Sequence, residues 1–161
     1  MTLDLTARLV VIGNSGSGKS TLANRVGAAL KLPVHDLDRF HWLGNGHKRD
    51  EVAAKELVSD VATAAAWIIE GVYGWLAEVA LSRATSLVWL DLSWADCRDG
   101  LLGRGLRRGM SPDDQEALIV WAGAYWTRTT PSSFAGHERL FQTFSGDKLR
   151  LKTRAEVEMF G

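Results

Sequence analysis

Residues Gly13-Asn14-Ser15-Gly16-Ser17-Gly18-Lys19-Ser20 set a lysine and a hydroxyl directly behind a glycine-rich turn. This is the G-x-x-x-x-G-K-[ST] spacing that cradles a polyphosphate. Glycines let backbone N–H groups curl around phosphate oxygens, Lys19 can reach the β and γ phosphates, and the Ser20 hydroxyl can ligate Mg²⁺. The apolar run Leu9-Val10-Val11-Ile12 precedes the loop and a helix-forming stretch, Thr21 to Leu30, follows it. The loop therefore opens a helix whose N-terminal dipole favours anions. A nucleoside triphosphate is the expected ligand, held by Gly13, Asn14, Ser15, Gly16, Ser17, Gly18, Lys19, Ser20 and Thr21.

The elements that must position this chemistry alternate along the chain. Arg8 to Ile12 reads as a strand and Lys19 to Lys31 as a helix. Pro33 to Asp36 is a short second strand entering a polar, aromatic loop that lasts to Asp50. Glu51 to Ala65 has apolar residues at helical spacing behind an Asp50 N-cap. Trp67-Ile68-Ile69 and Leu87-Val88-Trp89-Leu90 are continuous apolar runs, the pattern of strands covered on both faces. Trp75 to Arg83 between them reads as a short helix. Ser93 caps a helix expected to reach the arginines near Arg107, and Ser111-Pro112-Asp113-Asp114 opens another, whose stripe of Leu118, Trp121, Ala122, Tyr125, Trp126 and Thr129 reads as core. A helix from Ser133 to Phe144, a fifth strand at Leu149-Arg150-Leu151 and a Thr153-capped last helix complete the chain. Alternating strands and helices predict an α/β fold with a parallel sheet and helices on both faces. Ligands of such sheets bind beyond the carboxyl ends of the strands. That rule selects Asp36 and Asp38, Glu70-Gly71-Val72-Tyr73, Asp91, and Lys152 to Arg154 as companions of the glycine-rich loop.

Composition narrows the partners. The 161 residues predict one domain, 1–161, and 46% hydrophobic content supplies a core without metals or disulfides. Nineteen basic and nineteen acidic residues cancel, which argues against nucleic acid and anionic membrane as partners. The lone cysteine, Cys97, forms no internal disulfide and fits a reducing compartment. No apolar run is long enough to span a membrane and Met1 to Arg8 is no signal peptide, so a cytoplasmic protein is expected.

Several further segments carry a family resemblance: Leu37-Asp38 followed by Trp42, the stretch Trp67-Ile68-Ile69-Glu70-Gly71-Val72-Tyr73, Arg83-Ala84 through Asp91, and arginines after Trp94. With the phosphate-binding loop, they resemble the adenylate-kinase-like and shikimate-kinase-like P-loop kinases. They are most similar to a bacterial family of small kinase-like proteins labelled DNA topology modulation protein. The resemblance implies a three-layer fold with strand order 2-3-1-4-5, ATP and Mg²⁺ as cofactors, and a small-molecule phosphate acceptor. It also implies roles. Asp36 and Asp38 resemble paired aspartates, one supporting the metal and the other the acceptor; two residues apart on an extended chain, they would point the same way. Glu70 stands where nucleotide kinases carry a metal-supporting acid, with Asp91 as the alternative facing the nucleotide. Gly103-Arg104-Gly105-Leu106-Arg107-Arg108-Gly109 resembles a lid, expected over about 98–112, with Arg104 and Arg108 on the base and phosphates and Arg154 beside the adenine. Closure of such a lid excludes water.

Phosphoryl transfer depends on positioning and charge stabilisation. The expected catalytic set is thus Lys19, Asp36, Asp38, Arg104 and Arg108; the metal set is Ser20, Asp36 and Glu70; and the acceptor set is Asp38, Trp42 and Tyr73. Arg128 and Arg139 are additional candidates for phosphate contacts. His41 reads as a loop histidine without a special task. Adenylate kinases carry an AMP-binding segment and an Asp-Gly-Phe-Pro-Arg motif that are absent here, so the aromatic, glycine-jointed Arg39–His47 loop points to a small hydroxylated or planar acceptor. A nucleoside monophosphate kinase is the first alternative, and a nucleotide-gated nucleic-acid-binding protein the second.

Overall fold

The computed structural model describes residues 7–44, 46–107 and 109–160. In chain order these form β1 (Arg8–Gly13), α1 (Lys19–Leu30), β2 (Val34–Asp36), α2 (Asp38–His41), β3 (Trp42–Gly44), β4 (His47–Lys48), α3 (Glu51–Ala62), β5 (Trp67–Gly71), α4 (Gly74–Leu81), β6 (Ser86–Leu90), α5 (Trp94–Gly103), α6 (Pro112–Gly123), α7 (Phe134–Thr143), β7 (Asp147–Leu151) and α8 (Arg154–Met159). A 3₁₀ turn, Ala124–Trp126, extends α6.

β1 explains the architecture. Its successive side chains point to opposite faces: Val10 and Ile12 join one core and Leu9 and Val11 another. β5 and β6 divide likewise, Trp67, Ile69, Leu87 and Trp89 into the first core, Ile68, Val88 and Leu90 into the second. Side chains from α3, α4 and α7 close the first layer, and those from α1, α5 and α8 close the second. Each fully buried aliphatic side chain contributes about 1.5–3 kcal/mol, so only a strand with helices on both sides profits from four consecutive apolar residues. The sheet is parallel, in the order β2-β5-β1-β6-β7, which is the expected 2-3-1-4-5 once the five strands of the sheet are counted in sequence. β1 lies centrally, so the loop after Gly13 opens at the middle of the carboxyl edge.

Several sequence expectations are corrected. The helix after Ser93 stops at Gly103 and does not reach Arg107; glycines at 103, 105 and 109 punctuate the arginine segment, and residues 105–107 carry no regular structure. The segment between β2 and Asp50 contains the short α2 and an antiparallel β3–β4 pair, elements of two to four residues that periodicity does not resolve. The stripe on α6 is not mainly core: Ala122 and Tyr125 are buried, whereas Trp126 is exposed and Leu118 and Trp121 face the cleft described below. The caps hold: Asp50, Ser93, Ser111 and Thr153 each accept a backbone N–H from the first helical turn, and Ser133 does the same for α7.

Candidate active site

The carboxyl edge of the sheet opens into a cleft of about 2080 Å³. On one side lies the loop after β1. Gly16 there has φ +82°, and a Cβ added to it would collide with the Cys97 carbonyl; a Cβ on Gly100 of α5 would collide with the Gly16 carbonyl. Loop and helix thus approach each other as closely as backbones can, which only glycine allows. The buried Asn14 accepts from the Ser15 N–H at 2.8 Å through Oδ1 and donates through Nδ2 to the Ala122 carbonyl at 3.0 Å, tying the loop to the end of α6. Arg154 donates to the carbonyls of Ser17 (3.1 Å) and Asp96 (2.9 Å). Of the expected nucleotide-binding residues, Ser15, Gly16, Gly18, Lys19, Ser20, Thr21, Arg104 and Arg154 line the cleft, while Asn14 and Ser17 lie buried beneath it.

Lys19 donates from Nζ to the Asn14 carbonyl at 2.8 Å, and burial lowers its pKa. Across from it Ser20 donates to Glu70 Oε1 at 2.8 Å. Glu70 is 2% exposed, and burial pushes its carboxyl up to about 7 despite the opposing field of Lys19. These two oxygen groups suit Mg²⁺, which takes hard oxygen ligands and in nucleotide complexes uses one or two protein groups plus phosphates and water. Among the described residues no three His, Cys, Asp or Glu side chains converge into a metal cage, so the phosphates would supply much of the coordination.

The opposite wall carries Asp36 and Asp38. The extended-chain argument for them fails, because Asp38 starts α2 and Asp36 Oδ1 accepts the Asp38 N–H at 2.9 Å. Both side chains line the cleft nonetheless. Burial and then the Asp38 charge raise the pKa of Asp36. Asp38 meets Arg107 at 3.4 Å, which brings the arginine segment onto the same wall. Arg104 also faces the cleft; Arg108 lies outside the described residues.

Beyond Asp38, His41 stacks on Tyr73 at 4.1 Å between ring centres, with Trp42 and Trp75 edge-on to it. Trp42 donates from Nε1 to the Tyr73 hydroxyl at 3.0 Å. Trp42 and Tyr73 are thus a linked pair on the cleft wall, and His41 belongs to the same aromatic group instead of hanging from a loop. Below them runs a buried chain of hydrogen bonds. His137 must donate through Nε2 to the Val72 carbonyl (2.8 Å), so its Nδ1 accepts from the Tyr125 hydroxyl (2.7 Å), which accepts from Trp89 Nε1 (3.2 Å). Burial drives His137 down to about 3 and keeps it neutral. This chain fixes the backbone between Glu70 and Tyr73. Only the position of His137 on an apolar helix face hinted at it.

Three candidates are corrected. Asp91 does not face the cleft: it accepts Arg150 Nε at 2.9 Å and Nη2 at 2.6 Å. Arg128 lies 4.0 Å over the Trp121 ring and donates to the Trp121 and Ser132 carbonyls. Arg139 pairs with Glu78 at 4.0 Å on the surface. All three had the right charge, but closer partners claim them.

No model of a known protein family matches the chain, and no curated protein does. Solved structures do share its fold. A gluconokinase from Sinorhizobium meliloti 1021 superposes with a TM-score of 0.58 at 17% identity, over 95% of this chain and 87% of the other. A shikimate kinase from Acinetobacter baumannii, solved in complex with shikimate, gives 0.58 at 12% identity over 98% and 89%. A sugar kinase from Janibacter sp. HTCC2649 gives 0.53 at 17% over 94% and 90%.

Proposed function

We propose that this chain is an ATP-dependent kinase that moves the γ-phosphoryl group of Mg-ATP to a hydroxyl of a small acceptor. One observation carries the reading: Lys19, the Ser20–Glu70 pair and Asp36/Asp38 line a single cleft at the carboxyl edge of the sheet. The shared fold with gluconokinase, shikimate kinase and sugar kinase structures supports it.

The loop amides and Lys19 bind the phosphates and hold the γ-phosphoryl group toward Asp38. Asp38 orients the acceptor hydroxyl and takes its proton as the acceptor oxygen bonds to the γ-phosphorus. The bond from that phosphorus to the bridging oxygen breaks, and ADP leaves with the electron pair. Arg104 and Arg108 stabilise the charge that develops. Mg²⁺, supported by Ser20 and Glu70 with Asp36 beside them, would neutralise phosphate charge when bound. Arg154 acts by buttressing Ser17. Trp42 and Tyr73 supply the acceptor wall, consistent with a hydroxylated or planar molecule. The motif around Leu37-Asp38, Trp42 and Trp67 to Tyr73 supports affiliation with the DNA topology modulation family.

A coupled ADP-release screen over nucleosides, monophosphates, sugars and shikimate-like acids tests this reading. Acceptor-dependent ADP release that disappears in Lys19→Ala is expected; release that survives Lys19→Ala, or none with any acceptor, defeats it. Release confined to monophosphates would make the protein a nucleoside monophosphate kinase.

A further inference from the structure

Tyr73 is fixed through its backbone, its ring and its hydroxyl. The Val72 carbonyl before it accepts from His137 Nε2 at 2.8 Å, and Gly74 after it packs so closely on Pro131 that a Cβ there would collide with the Pro131 carbonyl. Its ring stacks on His41 at 4.1 Å between centres. Its hydroxyl receives the Trp42 Nε1 hydrogen at 3.0 Å. An indole nitrogen only donates, so the phenol oxygen is the acceptor in that bond and the phenol hydrogen is left to give. Among the described residues the other hydrogen-bond partner of this hydroxyl is Asp38, and a carboxylate accepts. Burial first and then the Asp38 charge raise the pKa of Tyr73, so the phenol keeps its proton and donates it.

Asp38 thus has two side-chain partners of different kinds. Arg107 meets its Oδ2 at 3.4 Å on exposed surface and sits between Gly105 and Gly109, whose φ angles are +66° and +81°. An exposed ion pair of this sort holds a carboxylate weakly. The Tyr73 hydroxyl is anchored to buried backbone, and a hydrogen bond to a charged acceptor is the stronger kind. The Asp38 backbone N–H is bound by Asp36 Oδ1 at 2.9 Å, but its side chain stands on a four-residue helix with no buried residue. A base must lie within hydrogen-bond reach of the proton it takes, and a carboxylate on so slight a support needs a second group to hold it there. We propose that Tyr73 is a positioning residue: the run of donors from Trp42 Nε1 to the Tyr73 hydroxyl to the Asp38 carboxylate aims Asp38 at the acceptor hydroxyl. The consequence for catalysis rests on the kinase reading, in which Asp38 takes the acceptor proton; the link from Trp42 through Tyr73 to Asp38 does not. Trp42 serves it by occupying the phenol oxygen, which leaves the phenol hydrogen turned toward Asp38.

The test separates the hydroxyl from the ring. Tyr73→Phe keeps the stack on His41 and should leave the melting temperature unchanged. With the best acceptor from the ADP-release screen, its kcat should fall about ten- to a hundredfold while the KM values for acceptor and Mg-ATP stay within about twofold. Trp42→Phe, which leaves the phenol in place but free to turn, should lower kcat less, and should add no loss of kcat to Tyr73→Phe. On the residual rate of Asp38→Asn, Tyr73→Phe should have no effect, because the group it positions is gone. Unchanged kcat in Tyr73→Phe, a loss confined to KM, or the same fold-loss in the Asp38→Asn background would overturn the proposal. Crystal structures of the unsubstituted protein and of Tyr73→Phe read the link without turnover. The hydroxyl should lie within about 3.0 Å of the Asp38 carboxylate in the first, and the carboxylate should have turned from that position in the second. A hydroxyl out of reach of Asp38, or one carboxylate orientation in both, would overturn the positioning role. If Asp38 turns in Tyr73→Phe but no acceptor releases ADP, the link is supported and the kinase reading falls, so the two failures are distinct.

Discussion

On the proposed donor side of the cleft the contacts run to backbone: Gly16 and Gly100 touch, Asn14 reaches the Ala122 carbonyl, and Arg154 clamps the carbonyls of Ser17 and Asp96. The proposed acceptor side is held by side chains on very short elements. α2 has no buried residue, and β3, with Leu43 61% exposed, pairs only with the two-residue β4. A phosphate is the same in every nucleotide, so its cradle can be rigid and buried. An acceptor wall made of a few exposed side chains can change without disturbing the core. The difference teaches where to look for specificity, and it predicts that substitutions on the two sides fail in different ways.

Lys19→Ala should have the largest effect, lowering kcat by about a thousandfold with the melting temperature little changed; a modest loss would mean that the donor side is not where charge is stabilised. Next comes pH. Glu70, raised from 4.5 to about 7, keeps a proton in the fold that the unfolded chain has lost, so its contribution to stability falls as pH rises through that window. His137, lowered from 6.5 to about 3, stays neutral in the fold where the unfolded chain is protonated, so its contribution rises with pH over that range. The two slopes oppose each other where the windows overlap. In Glu70→Gln its opposing slope is gone, and denaturant melts should show stability rising more steeply with pH between about 4.5 and 6.5 than in the unsubstituted protein; the same pH dependence in both would contradict the assignment of Glu70 as a buried, proton-holding carboxyl.

Within α5 two glycines separate rigid seat from free surface. Gly100→Ala should cost about 2 kcal/mol because its Cβ meets the Gly16 carbonyl. Gly103→Ala meets nothing within 4 Å and should be neutral or slightly stabilising. Equal melting temperatures would erase the distinction between the sides. A small effect is also expected of Arg107→Ala: its exposed pair with Asp38 should contribute less than about 1 kcal/mol to stability, so a larger drop on chemical melting would show that the arginine segment braces that wall.

The donor side was largely legible in the sequence, because the phosphate loop and the fully apolar strands are local signals. Glu70 and the two aspartates followed from strand ends. The proposed acceptor side was not: α2 and the β3–β4 pair are too short for periodicity, and the bond from Arg49 Nε to the Phe40 carbonyl that ties the end of this segment to α2 joins residues nine apart. Asp91, Arg128 and Arg139 misled for one reason. A charged residue near a strand end or helix is claimed by its nearest partner in space, Arg150, Trp121 and Glu78 here, and none of those contacts is encoded in spacing. His137 was hidden likewise, since its partners Val72 and Tyr125 lie on other elements.

The most direct test of phosphoryl transfer follows the group itself, using ATP labelled in the γ-phosphate with the acceptor that gives the fastest ADP release. The account predicts label recovered as a phosphate monoester of the acceptor, in step with ADP, and absent with Lys19→Ala. Label found only as inorganic phosphate, or an acceptor ester still formed by Lys19→Ala, would contradict it.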